Sequence, residues 1–276
     1  MDTTSTTDIA TCSPFIYTTT KDGYLIKWEL PAYPAPPATR NFTPPKKPKR
    51  LLYVRASRKE TKDGFQGHTG SIWCVAASED GKFVATGGVD TRVVVWSSET
   101  LKVLKAFKFH RGTVTGLAFR RGTNQLYSCS TDRTVKLWSL DELAYVETLF
   151  GHQDEVVGIT ALAGERCVTV GARDRTARLW KIVEETQLVF RGGGGIGDGS
   201  NKPRKNKDGT ERYEEGSIDC VTMIDEEHFV TGSDNGYTSP SSSSCLAPPS
   251  FPESNNRIEA SLSGPSTRKS RRTLSR

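Results

Sequence analysis

Three histidines recur at an interval of 42 residues, and each is followed at constant distances by an aspartate and a tryptophan. A histidine beside a carboxylate can act as a general acid or base, and it can also hold a metal ion. An enzyme needs one such pair, whereas this chain carries three in the same spacing. The periodicity therefore indicates a repeated structural unit and no catalytic centre. The three sets are His68, Asp90 and Trp96, then His110, Asp132 and Trp138, then His152, Asp174 and Trp180.

The segments between these residues have the composition of short β-strands. The unit that begins near His110 contains four runs rich in β-branched and aromatic residues, namely VTGLAF, QLYSCS, TVKLW and YVETLF. None of them shows a sustained helical period. Four strands per unit, with Gly-His near the start and a tryptophan near the end, resemble the WD40 repeat, although Phe109 stands where the glycine of this unit is expected. The resemblance implies an all-β fold, a WD40 β-propeller whose blades bury one another's faces.

The WD40 resemblance also implies a hydrogen-bonded chain in each blade. It joins the histidine, a serine or threonine of the second strand, the turn aspartate and the tryptophan. Such buried, fully paired chains make a core rigid, so these side chains are expected to be structural. In the third unit Val170 occupies the expected serine or threonine position, which predicts a chain shorter by one link. The two complete sets are His68, Thr86, Asp90 and Trp96, and His110, Ser128, Asp132 and Trp138.

The repeat also predicts how the chain is divided. The predicted segments are a partial first blade (1–30), a Pro-rich basic linker (31–66) with a possible outer strand (51–57), three complete WD40 blades (67–190), a Gly-rich charged insertion (191–215), a half blade (216–236) and a disordered Ser/Pro-rich basic tail (237–276). This amounts to about four of the seven blades that are usual for the family. Two explanations stay open. The bare sheet edge of a half blade favours a fragment or mis-spliced form of a longer propeller, and the alternative is a partner that completes the ring.

Charge is distributed unevenly along a chain whose net charge is +6. From Arg40 to Asp63 there are nine basic and two acidic residues, whereas residues 64–190 are close to neutral. Within the basic segment, PPKKPKR resembles a nuclear-localisation signal, and a plain charged linker is the alternative. The residues of that signal are Lys46, Lys47, Lys49 and Arg50.

No apolar run could span a bilayer, no secretory signal opens the chain, and the absence of a C-x-x-C pair favours the cytosol or nucleus.

Several stretches that a blade does not require are similar to one family of WD-repeat proteins. They include LAFRRGTNQLYSCSTDRTVKLW, YVETLFGHQD and CVTVGARDRTARLWKI. The family is that of the WD-repeat proteins of the U3 small nucleolar ribonucleoprotein. The resemblance implies binding to the box B/C region of U3 small nucleolar RNA, beside a kink-turn-binding protein and other small-subunit processome proteins. It further implies a nuclear and nucleolar protein that takes part in 18S ribosomal RNA processing as a non-catalytic assembly element.

Exposed basic side chains at the blade ends are the candidates for RNA binding, because RNA affinity comes largely from lysine and arginine on phosphates. Lys21 and Arg173 precede a turn aspartate, a position that often makes contacts in WD40 proteins. Arg133 and Arg175 follow a turn aspartate. All four are expected on one rim of the propeller. The alternative interpretation of Arg133 and Arg175 is that they only solvate the turn.

Arg120 and Arg121 lie in a turn that is expected on the opposite rim, where they would contact RNA or a neighbouring protein.

No sequence pattern points to a cofactor, a metal ion, a small-molecule substrate or a membrane. A protein-interaction scaffold, such as a ubiquitin-ligase substrate receptor, is the alternative function. Basic residues on the rim favour the RNA-binding interpretation, whereas a rim of aromatic and apolar residues would favour the scaffold.

Overall fold

A computed structural model describes residues 5–31, 47–56, 67–191, 204–205, 211–212, 217–233 and 238–242. The first sheet contains β1 (Thr6–Cys12), β2 (Phe15–Thr20), β3 (Tyr24–Glu29) and β4 (Lys49–Arg55). The second contains β5 (Ile72–Ala77), β6 (Phe83–Gly88), β7 (Val93–Ser97) and β8 (Val103–Phe107). The third contains β9 (Val114–Phe119), β10 (Gln125–Ser130), β11 (Thr134–Ser139) and β12 (Ala144–Phe150).

The remaining strands follow the same order along the chain. The fourth sheet contains β13 (Val156–Ala161), β14 (Arg166–Gly171), β15 (Thr176–Lys181) and β16 (Thr186–Arg191). A short pair, β17 (Arg204–Lys205) and β18 (Glu211–Arg212), lies within the predicted insertion. The fifth sheet contains β19 (Ile218–Met223), β20 (His228–Ser233) and β21 (Thr238–Ser242). Among the described residues, no helix is long and apolar enough to cross a membrane.

Each sheet is an antiparallel meander whose strands pair in chain order. The first strands of successive sheets, β1, β5, β9, β13 and β19, contact one another in that sequence. The sheets therefore stack as the blades of a propeller, each covering the next. The prediction of an all-β WD40 propeller built from repeated four-stranded blades is confirmed.

The core lies between successive sheets. On β10, Leu126 packs with Trp138 against the second sheet, whereas Tyr127 and Cys129 face the fourth sheet. These four side chains are fully buried. Burial on both faces explains why the middle strands carry apolar residues at consecutive positions, such as Leu126 and Tyr127, where a half-exposed strand would alternate.

The first blade is complete, so the prediction of a partial blade is wrong. Strand β1 pairs with β2 from Thr6 opposite Thr20 to Cys12 opposite Phe15, and it supplies the innermost strand. Its sequence, TTDIATC, carries few apolar residues, and part of its attachment to the second sheet is made by hydrogen bonds. The Thr7 hydroxyl donates to the backbone oxygen of Ile72 in the second sheet at 2.8 Å. The outer strand β4 begins and ends two residues before the predicted strand at 51–57.

The fifth sheet extends into the segment that was predicted to be a disordered tail. Strand β21 pairs with β20, with Pro240 opposite Val230. A proline is tolerated there because β21 is the edge strand, where no further ladder needs its missing N–H group. The prediction of disorder is therefore wrong for residues 238–242. The rest of the predicted tail, together with most of the linker and the insertion, lies outside the described residues.

Candidate nucleic-acid interface

A chain of hydrogen bonds joins four side chains in the second sheet. The Trp96 indole Nε1 donates to the Thr86 hydroxyl at 2.7 Å, and that hydroxyl lies 2.8 Å from His68 Nε2. The opposite ring nitrogen, Nδ1, lies 2.9 Å from the Asp90 carboxylate. The backbone amide of Thr69 donates to the same carboxylate at 2.8 Å. The chain ties the turn after β6 to the loop before β5 and to strand β7.

The third sheet repeats this arrangement. The Trp138 indole donates to the Ser128 hydroxyl at 2.9 Å, and this hydroxyl lies 2.8 Å from His110 Nε2. His110 Nδ1 lies 2.9 Å from Asp132, and the backbone amide of Arg111 donates to the same carboxylate at 2.9 Å. Because an ionised carboxylate can only accept, a neutral imidazole carries its proton on Nδ1, which faces Asp132, and the Ser128 hydroxyl then donates to Nε2.

Burial favours the neutral form of His110 and His152, and hydrogen bonds favour the ionised form of Asp132 and Asp174. Burial lowers the pKa of His110 and of His152, although in each case the paired carboxylate acts in the opposite direction. Burial alone would raise the pKa of Asp132, but hydrogen bonds from His110 and Thr134 outweigh it and hold that pKa well below its ordinary value. The pKa of Asp174 is lowered in the same way, mainly by His152. Both ring nitrogens of each histidine are hydrogen-bonded within the protein, so the histidine–aspartate pairs have a structural role.

In the fourth sheet the chain is also complete, so the prediction of a shortened chain at Val170 is wrong. Thr169 supplies the hydroxyl, which lies 2.8 Å from His152 Nε2 and accepts from the Trp180 indole at 2.7 Å. His152 Nδ1 lies 2.9 Å from Asp174, as in the other sheets. Val170 points the other way, into the apolar cluster that the fourth sheet shares with the fifth.

Two compensating length changes displace the hydroxyl by one residue. The loop between β13 and β14 (162–165) is one residue shorter than its counterpart in the third sheet (120–124), and the turn after β14 (172–175) is one residue longer than its counterpart (131–133). The interval from histidine to aspartate therefore stays constant while β14 shifts in between. A step of 42 residues from Ser128 therefore reaches Val170, although Thr169 supplies the hydroxyl. The alternation along β14, in which Cys167 and Thr169 share a face, would have pointed to Thr169.

The turns that carry the aspartates lie together at one end of the sheets, which we call the Asp-turn rim (residues 21–23, 89–92, 131–133 and 172–175). The starts of the innermost strands lie side by side at this end. Thr115 at the start of β9 donates to the backbone oxygen of Val156 at the start of β13 at 2.5 Å. In the register of the third sheet, Ser130 beside the turn lies opposite Val114, the first residue of β9.

The structure places the four predicted rim residues on the Asp-turn rim. The side chains of Lys21, Arg133 and Arg173 are exposed, whereas Arg175 is partly buried and takes part in further interactions. Arg133 and Arg175 follow the turn aspartate in the left-handed region, with φ of 68° and 52°. The backbone amide of Arg173 donates to the Asp154 carboxylate at 3.1 Å, so this hydrogen bond does not involve the Arg173 side chain.

Arg120 and Arg121 lie at the opposite end of the sheets and differ from each other. The Arg120 guanidinium is mostly buried, with hydrogen bonds to the backbone oxygen of Ala163 at 2.8 Å, to Gln125 at 3.0 Å and to Glu165 at 2.9 Å. It therefore joins the third sheet to the fourth. The Arg121 side chain is exposed, and both arginines border an open pocket of about 660 Å³ where the innermost strands end.

The basic run that resembles a localisation signal is divided between an undescribed segment and a strand. Lys46 lies outside the described residues, whereas Lys47 precedes β4 and Lys49 and Arg50 belong to it. The Arg50 guanidinium lies 5.1 Å from the centre of the Tyr53 ring. This part of the run is therefore paired in a sheet, and its side chains are exposed on the outer strand.

Arg111 is a rim residue that the sequence reasoning missed. Its backbone amide binds Asp132, as the amides of Thr69 and Gln153 bind the corresponding aspartates, and its side chain is exposed. The available signal was its position directly after the repeated histidine, because that residue occupies the same place in the three blades that carry the histidine.

Comparisons with known proteins agree with the fold. The WD40 model, described as WD domain, G-beta repeat, matches residues 59–97, 101–139 and 144–181. The stacked four-stranded sheets and the repeated hydrogen-bonded chains define a propeller protein of the WD40-repeat family, and this chain is one. A solved structure of U3-55K matches it with a TM-score of 0.69 and 37% identity, covering 88% of this chain and 63% of that one.

Two curated relatives show which WD40 proteins the chain is similar to. U3 small nucleolar RNA-interacting protein 2 of Homo sapiens is 48% identical over 221 residues, covering 80% of this chain and 39% of that protein. Ribosomal RNA-processing protein 9 of Saccharomyces cerevisiae is 38% identical over 253 residues, covering 80% of this chain and 41% of that protein. The chain thus spans about two fifths of the length of the curated relatives it matches.

Proposed function

We propose that this protein is an RNA-binding component of the U3 small nucleolar ribonucleoprotein that supports 18S ribosomal RNA processing without catalysing a reaction. The observation that carries the proposal is the 48% identity over 221 residues to a protein named for its interaction with U3 small nucleolar RNA. The proposed ligand is the box B/C region of that RNA. The proposed protein partners are a kink-turn-binding protein and other small-subunit processome proteins.

The charge of the Asp-turn rim supports RNA as the ligand. Lys21, Arg111, Arg133 and Arg173 present exposed cations there. The carboxylates of the three repeated turn aspartates are each bound by a histidine and a backbone amide, so they are directed inwards. Structured RNA is read largely through its phosphates and its shape, which a spaced set of cations on a rigid rim can match. We assign Arg120 to holding two sheets together and leave Arg121 as a candidate contact on the opposite rim.

Replacing Arg173 by glutamate tests the role of the Asp-turn rim. Because only the backbone of Arg173 is engaged by Asp154, Arg173→Glu should leave the fold intact. We expect weaker binding of a U3 box B/C RNA in a low-salt mobility-shift assay, with the slope of log affinity against log salt reduced by about one. The matched control is Lys82→Glu, which reverses a charge that is 69% exposed in the loop between β5 and β6.

Different outcomes test the assignment of Arg173 to the interface and the proposed binding of U3 RNA. Equal binding by Arg173→Glu and the parent would remove Arg173 from the interface, and equal weakening by Lys82→Glu would show a general charge effect. A parent protein that binds no U3 RNA, and that recovers no U3 RNA when it is immunoprecipitated, would overturn the proposed function in favour of a protein-interaction scaffold.

Nuclear and nucleolar location follows from this proposal, with Lys46, Lys47, Lys49 and Arg50 as the proposed import signal. Lys49 and Arg50 belong to β4, so their replacement could disturb the first sheet. The cleaner test replaces Lys46 and Lys47 by alanine in a fluorescent fusion. Nuclear accumulation equal to that of the parent would contradict a necessary role for this run.

A further inference from the structure

Phe109 interrupts the repeat at a position that is glycine in the neighbouring blades. Its counterparts are Gly67 and Gly151, which also directly precede the repeated histidine. A Cβ atom on Gly67 would lie 3.2 Å from the Trp96 ring, and one on Gly151 would lie 2.6 Å from the Arg178 guanidinium. The space above the blade tryptophan is therefore tight in these sheets, and the third sheet must be arranged differently to accept a phenyl ring.

The Phe109 ring is held in a stack of aromatic side chains. It lies parallel to the Tyr145 ring, with centroids 5.0 Å apart and an interplanar angle of 7°. Its edge meets the Trp138 ring at 5.7 Å and 73°. Phe109 remains 52% exposed and Tyr145 37% exposed, so the protein covers the stacked pair only in part. A ring that is fixed but uncovered is prepared for another planar group, because it needs no further ordering on binding.

Cations surround this stack. From Lys102 to Thr113 the chain carries four basic residues and no acidic one. Lys108 and Arg111 flank Phe109 and are exposed. Beneath the stack, Lys136 Nζ lies 5.7 Å from the centre of the Tyr145 ring. Phe109 belongs to the loop at the Asp-turn end, because His110, the next residue, binds the turn aspartate, whereas Tyr145 lies on the outer strand β12 opposite Trp138.

We propose that Phe109 and Tyr145 form a platform on which an unpaired base of single-stranded RNA stacks, while Lys108 and Arg111 bind the phosphates on either side. This inference rests on the proposed function and adds a second mode of contact to it. Aromatic platforms within positively charged surfaces are the usual means of holding single strands, because every base offers a flat face. A peptide partner is less favoured, because Phe109 lies in a segment that carries four basic residues and no acidic one.

The test removes the ring and keeps the fold. Phe109→Gly restores the residue found in the neighbouring blades, Phe109→Leu keeps an apolar side chain without a planar face, and Phe109→Tyr keeps the ring. The control Phe150→Leu removes a ring that is 71% exposed at the end of the same outer strand, β12. Each variant is titrated with a ten-nucleotide uridine RNA and with a U3 box B/C RNA, after its unfolding temperature has been measured.

We expect Phe109→Gly and Phe109→Leu to bind the uridine RNA at least about fivefold more weakly, which is the lower end of what a stacked base contributes. Phe109→Tyr and Phe150→Leu should bind it as the parent does. Equal binding by all variants, or equal weakening by Phe150→Leu, would overturn the platform. If the parent binds the uridine RNA but not the U3 RNA, the proposed function fails while the platform stands. If the parent binds U3 RNA unchanged by loss of the ring, the platform fails and the proposed function stands.

Discussion

At the scale of single residues, the hydroxyl at the centre of each hydrogen-bonded chain has a large expected effect on stability. Thr169 accepts from Trp180 and pairs with His152, and all three residues are buried. Replacing it by valine keeps the shape but leaves a buried donor and a buried acceptor without partners. Since each unpaired buried group costs about 1–3 kcal/mol, we expect Thr169→Val to lower the free energy of unfolding by about 2–4 kcal/mol, measured by urea denaturation.

Serine at the same position provides the matched control. Ser128 performs this role in the third sheet, so Thr169→Ser keeps both hydrogen bonds and loses only a methyl group. It should cost about 1 kcal/mol or less. If Thr169→Val and Thr169→Ser were equally stable, the hydroxyl would not hold the fourth blade together, and the assignment of Thr169 would be wrong.

At the scale of the elements, one arginine fastens the third sheet to the fourth. Arg120 donates to Ala163, Gln125 and Glu165, and its side chain is 16% exposed. The bond to Glu165 counts for less, because that carboxylate is 43% exposed and screened by water. We expect Arg120→Ala to lower the free energy of unfolding by about 1–3 kcal/mol.

The neighbouring residue is the natural control for Arg120. Arg121 is exposed, and only its backbone amide is engaged, with the oxygen of Leu162 at 3.1 Å. Arg121→Ala should change stability by no more than about 0.5 kcal/mol. Equal losses in the two variants would mean that the side-chain bonds of Arg120 do not connect the sheets.

The elements also show where the sequence pattern is informative. Strand β10, which is buried on both faces, is visible as a short run rich in apolar residues between turn residues, and its bounds agree with the prediction. Strand β1 was not visible, because it is joined to the second sheet in part by hydrogen bonds, one donated by the Thr7 hydroxyl and one accepted by the Asp8 carboxylate. Strand β21 was not visible, because an edge strand needs only backbone pairing.

At the scale of the whole molecule, the period of the repeat predicted the architecture better than it predicted individual roles. The constant interval between His110, Asp132 and Trp138 and their counterparts reflects the stacking of equivalent blades. The same regularity concealed the shift at Thr169, since two length changes cancel within the interval. It also gave no role to Phe109, because the stack depends on Tyr145, which lies in a different strand and was not linked to it by spacing.

The buried histidine–aspartate pairs predict how the stability of the whole propeller depends on pH. The pKa values of His110 and His152 are lowered from 6.5 in the folded protein, so the unfolded chain binds more protons once the pH falls below that value. The pKa values of Asp90, Asp132 and Asp174 are lowered from 3.8, so the unfolded chain again binds more protons as the pH falls below that value. In both ranges, acidification favours the unfolded state.

We therefore expect the unfolding temperature to be constant between about pH 7 and 8, to fall as the pH drops below about 6.5, and to fall again below about 4. Thermal unfolding followed by circular dichroism at each pH measures this profile. Because the pairs are buried, the same profile should persist in high salt, where exposed ion pairs are screened. An unfolding temperature that rises from pH 7 to 5.5 would mean that the histidines gain protons in the folded state, which would contradict the neutral imidazoles that accept a hydroxyl proton at Nε2.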